Sequence, residues 1–141
     1  MINAPNELSY DDISIGQQES FMIKITASMV EKFSNLSGDL NPLHMDNEFA
    51  ESSSFKKRIV HGMLLASFFS QLIGMKLPGK NALYFSQTLN FRSPCYIDDE
   101  IEVVGEVTEK SDSTQIITVS TSIFNKSKTC LIDGIAKIIV R

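Results

Sequence analysis

The sequence has few of the features that mark a secreted, membrane or metal-binding protein. It contains only two cysteines, Cys95 and Cys130, which lie outside any CxxC or Cys/His cluster and so give no indication of a zinc site. No apolar run approaches the ~20 residues of a membrane span. Residues 1–16 lack the positive and apolar regions of a signal peptide. These absences lead us to expect a cytoplasmic chain with free thiols.

A large excess of charge of either sign is also lacking, since the formal net charge is −4. A mildly acidic protein has no overall attraction for nucleic acid or for an anionic membrane, so neither is an expected partner. Hydrophobic residues make up 43% of the chain and charged residues 21%, a balance typical of globular rather than disordered proteins. With 141 residues and no internal repeat or linker, we expect a single domain over residues 1–141.

What the sequence does contain is one change of character, near residue 79, from helix and loop to strands. The first part predicts a strand over 19–25, a helix over 27–36 capped by Thr26, a short helix over 47–51, and an apolar helix over 61–73 that stops at Gly74. The second part predicts antiparallel strands over 82–91, 100–109, 115–124 and 129–140. The apolar helix must be covered on most sides. We therefore expect an α+β fold, with an antiparallel sheet wrapped around one central helix.

A carboxylate and an imidazole, Asp39 and His44, lie five residues apart in the segment SGDLNPLH. Because Pro lacks an N–H and pushes the residue before it to an extended conformation, Asn41-Pro42 predicts a stiff loop rather than regular helix. Such a loop can aim both side chains into one cavity, where they can act as general acid and base or hold a water. Spacing alone leaves open an Asp turn followed by an ordinary loop histidine.

Gly62 lies at the start of the apolar helix, where free N–H groups and the positive end of the helix dipole gather. With no Cβ, it lets a ligand oxygen approach its N–H, which is how a polarising site for a thioester carbonyl is built. The alternative is a glycine chosen for tight helix–sheet packing. The neighbouring His61 is more typical of a helix-start or packing histidine than of a catalyst.

Three further groups of residues are weaker candidates. Ser70 lies within the apolar helix, outside any GxSxG motif, and could supply a hydrogen bond but not a serine-hydrolase nucleophile. The apolar side chains of this helix are core residues first and acyl-pocket residues second: Leu64, Leu65, Phe68 and Phe69. The run Lys56-Lys57-Arg58 is either a solvated loop or an attraction for the phosphates of a coenzyme.

These motifs, in this order, resemble the R-specific enoyl-CoA hydratases of the MaoC-like group, which have the hot-dog fold. The resemblance is carried by FSNLSGDLNPLHMDNEFA (33–50), RIVHGMLLASFFSQLIG (58–74) and LPGKNALYFSQTLNFRSPCYIDDEI (77–101). The G-D-x-N-P-L-H core and the later I-V-H-G-M-L are its most specific parts. The similarity covers nearly all of the chain and is weakest in the first twenty residues.

The resemblance implies a role for several residues. Asp39 and His44 match the catalytic pair, Gly62 the oxyanion-hole amide and Ser70 an active-site serine, and we count Asn41 among the substrate-binding candidates. It also implies hydration of a trans-2-enoyl-CoA to a (3R)-3-hydroxyacyl-CoA by a homodimer that pairs its sheets edge to edge. Neither a metal nor a redox cofactor is expected, since coenzyme A enters as part of the substrate.

Three other functions remain open at the level of sequence. A dehydratase acting on acyl carrier protein substrates would use the same pocket chemistry with a different carrier. A hot-dog thioesterase would need an acidic residue aimed at the carbonyl carbon, and Asn-Pro-Leu-His is not typical of that class. A non-catalytic acyl-binding protein would not require Asp39 and His44, which are both intact.

Overall fold

The computed structural model describes residues 3–141 as four helices and six strands. The helices are α1 (Ala27–Ser37), α2 (Pro42–Met45), α3 (Asn47–Ser52) and α4 (Gly62–Gln71). The strands are β1 (Gln18–Lys24), β2 (Ala82–Gln87), β3 (Asn90–Phe91), β4 (Glu100–Ser111), β5 (Ile116–Asn125) and β6 (Cys130–Val140). A short 3₁₀ turn, Tyr10–Asp12, precedes β1.

The strands form one antiparallel sheet in the order β1-β4-β5-β6-β2, with the short β3 also pairing with β6. Buried and less buried residues alternate along β4 and β5, so one face of the sheet is apolar. The register pairs core residues directly, for example Val103 of β4 with Ile123 of β5. β1 and β2 are the two edges of the sheet, and β2 leaves several large apolar side chains exposed.

α4 lies against the apolar face of the sheet and supplies the centre of the core. Leu64, Leu65 and Phe69 of α4 are buried and cluster with Val103 and Ile123. Burial of each such side chain stabilises the fold by about 1.5–3 kcal/mol. The sheet thus wraps around the helix, which confirms the predicted α+β arrangement. In the part of the chain that the structure describes, no helix is long and apolar enough to cross a membrane.

The structure corrects the predicted end of this helix and confirms that most of its sides are buried. The helical path does not stop at Gly74, because α4 continues as a π-helical segment, Leu72–Lys76. Within one chain, α4 is covered on most sides as predicted but not on all of them, since Met63 is 57% exposed and Ser67 and Ser70 are also exposed. A single copy of the chain therefore leaves one face of α4 open.

The predicted strand over 82–91 is interrupted in the structure, between β2 and β3. A Cβ atom at Gly134 of β6 would lie 1.9 Å from the backbone oxygen of Thr88. The two backbone segments therefore approach too closely there for a side chain to fit between them. Such close crossings interrupt a regular ladder. Sequence alternation gave no sign of this crossing. The other three strands of the second part are confirmed to within about two residues.

Candidate active site

The candidate site begins where α1 ends. Gly38 adopts a left-handed conformation with φ of 80°, which ends α1 and turns the chain toward Asp39. Asn41 then caps α2, because its side-chain oxygen accepts the N–H of Leu43 at 3.0 Å. Pro42 is the first residue of α2, where its missing N–H costs nothing. The predicted loop is therefore right up to Asn41 and wrong beyond it, since His44 lies in a helical turn.

Asp39 and His44 face each other across a gap. Their nearest atoms, Asp39 Oδ2 and His44 Nε2, are 3.9 Å apart. That is too long for a direct hydrogen bond, and one water lying to the side of the line that joins the two atoms could bind both. The other ring nitrogen of His44, Nδ1, donates to the carbonyl of Ile59 at 2.7 Å. In the neutral ring Nε2 therefore carries the lone pair and is free to act as a base.

The two side chains differ in their exposure to solvent. The Asp39 side chain is 49% exposed and that of His44 is 14% exposed. The backbone N–H of Asn41 donates to Asp39 Oδ1 at 3.2 Å and orients the carboxylate. Asn41, a substrate-binding candidate from sequence, therefore has two local structural roles as cap and as donor, and its exposed side chain makes no contact with the cavity described below.

The segment over residues 58–61, which leads into α4, is hydrogen-bonded to α2 and contacts His44. Arg58 donates from Nε to the carbonyl of His44, and Ile59 donates its backbone N–H to Leu43 at 3.3 Å. His61 follows, with its ring stacked on that of His44 at a centroid distance of 3.9 Å. His61 thus links the Asp–His pair to Gly62, which is the next residue in the chain.

The Gly62 N–H is free to bind a ligand. Gly62 is the first residue of α4, and its N–H makes no hydrogen bond to any of residues 3–141. A Cβ at this position would lie 2.6 Å from two ring carbons of Phe91. The ring of Phe91 is 56% exposed and lies over the bare Cα. Both interpretations of Gly62, as a polarising amide and as a close packing contact, therefore have a structural basis.

An apolar cavity of about 340 Å³ opens beside Gly62. Its wall is formed mainly by apolar side chains, which are Phe55, Ile59, Val60, Leu65, Phe91, Pro94, Leu131 and Ile132. Of the four acyl-pocket candidates from sequence, only Leu65 belongs to it. Leu64 and Phe69 are buried in the core, and Phe68 packs against that core. No sequence signal could separate cavity wall from core, because both consist of the same apolar residues.

The cavity also contains a thiol, that of Cys95. Burial, with a smaller effect of Asp99, raises the pKa of this thiol to about 12. A thiol with so high a pKa stays protonated near neutral pH and is a poor nucleophile. The thiol therefore belongs to the wall of the cavity. Neither Asp39 nor His44 lines this cavity within one chain.

The basic run lies at a second, more polar cavity of about 640 Å³, which Lys56, Lys57 and Arg58 line together with Tyr96 and Asp98. Lys57 places its ammonium group 4.7 Å from the centre of the Tyr96 ring. Lys56 adopts a positive φ of 68°. Arg58 differs from both lysines because it is partly buried and bonded to α2. The run therefore supplies two exposed charges and one structural contact.

Ser70 is not part of this arrangement within one chain. It lies eight residues after Gly62 on the same helical path, which is about 12 Å at 1.5 Å per residue. Its side chain is exposed, and it lines neither of the two cavities near Gly62. The structure of the single chain gives Ser70 no contact with the Asp–His pair, and its catalytic role stays a prediction.

The cluster of Asp39, His44 and His61 offers three donor atoms within 4.8 Å of one another. Their geometry does not suit a metal ion, because the two imidazole rings are stacked with an interplanar angle of 30°. Lone pairs lie in the plane of each ring, so stacked rings direct them side by side rather than at one point. The site is therefore better suited to a water than to a metal.

Comparison with known proteins agrees with this geometry. The family model described as "MaoC like domain" matches residues 13–128. The (R)-specific enoyl-CoA hydratase of Aeromonas caviae is 39% identical over 127 residues, covering 90% of this chain and 95% of the relative. A mitochondrial 3-hydroxyacyl-[acyl-carrier-protein] dehydratase of Arabidopsis thaliana is 40% identical, covering 79% and 68%.

Solved structures give the same answer. The structure of an R-hydratase from Pseudomonas aeruginosa superimposes with a TM-score of 0.92 at 33% identity, covering 96% of this chain and 87% of that one. The Aeromonas caviae hydratase has a TM-score of 0.89, with 92% and 98% covered. The antiparallel sheet around α4 is thus the hot-dog fold that the sequence resemblance implied. With the Asp39–His44 pair, the Gly62 amide and a matching family model over most of its length, the chain belongs to the MaoC-like family.

Proposed function

We propose that this protein is an (R)-specific enoyl-CoA hydratase, which adds water across the double bond of a trans-2-enoyl-CoA to give a (3R)-3-hydroxyacyl-CoA. The observation that carries the proposal is the approach of Asp39 to His44 at 3.9 Å, together with a free Gly62 amide that follows the His61 ring stacked on His44. The named relatives from Aeromonas caviae and Pseudomonas aeruginosa support the same reaction. The reaction is reversible, so the same site also removes water from the hydroxyacyl thioester.

The chemistry follows from these groups. C3 of an enoyl thioester is electrophilic only when the carbonyl oxygen can take on negative charge, and the Gly62 N–H stabilises that oxygen in the transition state. The pair of Asp39 and His44 holds the water, accepts its proton as the oxygen bonds to C3, and returns a proton to C2. An oxyanion-hole donor such as the Gly62 N–H contributes about 3–4 kcal/mol in other enzymes. General acid–base groups contribute about 10²–10⁴ in rate.

A test of the reaction class follows the two products that competing functions would give. Purified protein is mixed with crotonyl-CoA, and loss of the conjugated double bond and release of free thiol are measured on the same sample. We expect the double bond to be consumed without thiol release. Release of thiol at the rate of substrate loss would instead identify a thioesterase. No turnover at all would reject the hydratase and leave a carrier-protein dehydratase or an acyl-binding protein.

The acyl group could be attached to coenzyme A or to a carrier protein, and the second cavity, which the basic run 56–58 lines, bears on this choice. Lys56 and Lys57 present positive charge at the second cavity, where basic residues outnumber the carboxylates of Glu51 and Asp98, and this excess suits the phosphates of coenzyme A. The same charges would also attract an acidic carrier protein, and the Arabidopsis relative is named for that carrier. We propose coenzyme A as the carrier. Higher kcat/KM with crotonyl-CoA than with the crotonyl carrier protein is the expected result.

Neutralising the two lysines is expected to weaken substrate binding without slowing the chemistry. In Lys56→Asn/Lys57→Gln, asparagine tolerates the positive φ at position 56. Loss of each exposed charge contact costs up to about 1 kcal/mol, or about five-fold. KM for crotonyl-CoA should therefore rise several-fold, and by about 25-fold at most, with kcat unchanged, while KM for the crotonyl-pantetheine thioester stays the same. Lys126→Gln, in the exposed β5–β6 hairpin, is the matched control. Equal effects of both changes would reject the coenzyme role.

We also propose that two copies of the chain pair through the edge strand β2. This strand leaves Leu83 49% exposed and Phe85 61% exposed, and Ile135 of the adjacent β6 is 50% exposed. An exposed apolar edge strand is a ready template for pairing with another strand. Pairing of two sheets by these edges would form one continuous sheet, as expected for relatives with this fold. The two free cysteines are consistent with our proposal that the dimer works in the cytoplasm.

Phe85→Glu is expected to convert the dimer to a monomer, because it places a charge on each side of the paired edges. Light scattering should give about twice the 15.7 kDa chain mass for the natural protein at micromolar concentration and the single mass for the variant. Ile15→Glu, which changes an equally exposed residue outside the sheet, should remain a dimer. A natural protein that is already monomeric would contradict the pairing.

A further inference from the structure

His61 is buried at the centre of the site, although it takes no part in the proposed proton transfer. Its side chain is 2% exposed, and it precedes α4 without capping it. The Nε2 atom lies 3.0 Å from the carbonyl oxygen of Asp39 and 3.1 Å from Ser34 Oγ. One face of the ring stacks on His44, and Phe33 contacts the ring edge-to-face at 4.9 Å. A histidine that only filled space would not need these polar contacts.

The partners of Nε2 fix the position of the ring hydrogen. The carbonyl of Asp39 can only accept a hydrogen bond. The hydroxyl hydrogen of Ser34 is directed at Met45 Sδ, 2.9 Å away, so Ser34 Oγ is also an acceptor toward the ring. Nε2 therefore carries the hydrogen and donates it to both oxygens. Nδ1 is buried with no partner among the described residues, so nothing there would hold a hydrogen.

We propose that His61 is a positioning residue of the active site, which holds the Asp39 backbone and the His44 ring in place beside the Gly62 amide. Its donor bond fixes the turn that carries Asp39, and its ring face supports His44. Its own backbone leads directly into Gly62. One side chain thus sets the distance between the acid–base pair and the amide that polarises the thioester. The kinetic part of this role rests on the proposed hydration, whereas the position of the ring hydrogen does not.

The role requires a neutral ring. Burial lowers the pKa of His61, and the neighbouring His44 lowers it further, against an opposing effect of the hydrogen bond to Asp39. The titratable groups that face the ring are those of Asp39 and His44, while Ser34 and Phe33 of α1 are uncharged. A second positive charge stacked on His44 would disfavour protonation of that ring during catalysis. A neutral His61 avoids this conflict.

The position of the hydrogen can be measured in the natural protein by ¹⁵N NMR of the imidazole rings. The chain has only two histidines, so the spectrum contains two rings, and His44→Gln assigns them by removing one. At pH 7 we expect His61 to be neutral with its hydrogen on Nε2, and His44 to carry its hydrogen on Nδ1 when neutral. A charged His61, or one with its hydrogen on Nδ1, would overturn the proposal whether or not the protein is an enzyme.

Two variants then separate positioning from packing. His61→Gln places an amide N–H the same number of bonds from Cα as Nε2, so it keeps a donor for Asp39. His61→Phe keeps a stacked ring and removes the donor. With crotonyl-CoA, we expect His61→Phe to lower kcat by about 10- to 100-fold with little change in KM, since a misplacement of ~1 Å can cost about 10² in rate. His61→Gln should recover at least about five-fold of that loss, the value of one ordinary hydrogen bond.

Melting temperatures measured on the same samples complete the test. If both variants have lower Tm but normal kcat per folded molecule, His61 is a packing residue and the proposal fails. Equal losses of kcat in both variants would also overturn it, because the donor would then not matter. Inactivity of the natural protein on crotonyl-CoA would reject the proposed function instead, and the NMR result would still decide the position of the hydrogen.

Discussion

His44→Gln and Asp39→Asn are each expected to lower kcat for hydration of crotonyl-CoA by at least about 10², the lower range for the loss of an acid–base group. His44 presents the lone pair of Nε2 to the gap because its Nδ1 hydrogen is bound to Ile59. Glutamine cannot act as a base there, and asparagine at position 39 has no negative charge to orient a water. The measurement is a steady-state assay with folding checked by circular dichroism.

Both variants should fold, because each change nearly preserves the shape of the side chain. Asparagine at position 39 still offers an oxygen to the N–H of Asn41. Glu48→Gln is the control, since it neutralises an exposed carboxylate on the nearby α3 and should leave kcat unchanged. Near-normal turnover in either folded variant would rule out the role assigned to that residue.

Gly62→Ala is expected to lower kcat/KM by about 10-fold or more while Tm changes little, since loss of one oxyanion donor costs about 10²–10³ elsewhere and the methyl displaces the oxygen without removing the N–H. The added carbon would lie 2.6 Å from the Phe91 ring. That ring is 56% exposed and can turn toward solvent, so the clash can be relieved at modest cost. Alanine is also the better helix former, although near a helix start the gain is small.

The double variant Gly62→Ala/Phe91→Ala decides between the two interpretations of Gly62. Removal of the Phe91 ring relieves the packing clash but leaves the methyl where the thioester oxygen should lie. If Gly62 polarises the substrate, Gly62→Ala lowers activity by the same factor in the Phe91→Ala background as in the natural protein. Recovery to the level of that control, or a large loss of Tm in Gly62→Ala with normal activity per folded molecule, would leave Gly62 as a packing residue only.

The fold could be predicted largely because periodicity and caps are local features of a sequence. Thr26 caps α1 as expected, accepting the Met29 N–H at 3.2 Å. The same local signals failed where tertiary contacts determine the end of a helix or a break in a strand. Gly74 does not end the helical path, because Leu72 and Ile73 are buried and keep the chain against the sheet. Nothing near residue 88 in the sequence shows that Gly134 crosses it closely.

The candidate site was predictable in its reactive groups but not in its surroundings. The spacing of Asp39 and His44 indicated a shared cavity. The structure brings the two side chains together, but neither lines the apolar cavity beside Gly62. The sequence suggested that His61 is a packing residue. Its contacts with Asp39 and Ser34 were not visible there, because these residues are 22 and 27 positions away in the chain. Phe91 could not be placed beside Gly62 either, since that contact depends on where β3 joins the sheet. Long-range contacts of this kind leave no periodic signal.

The most direct test of the central claim is the stereochemistry of the product formed from crotonyl-CoA. The natural protein and His44→Gln are incubated with the substrate, the thioester product is hydrolysed, and the 3-hydroxybutyrate is resolved on a chiral column. The proposed function predicts the (3R) product from the natural protein, at a rate at least about 10² above that of His44→Gln. Formation of the (3S) product, or equal rates from the two proteins, would contradict it.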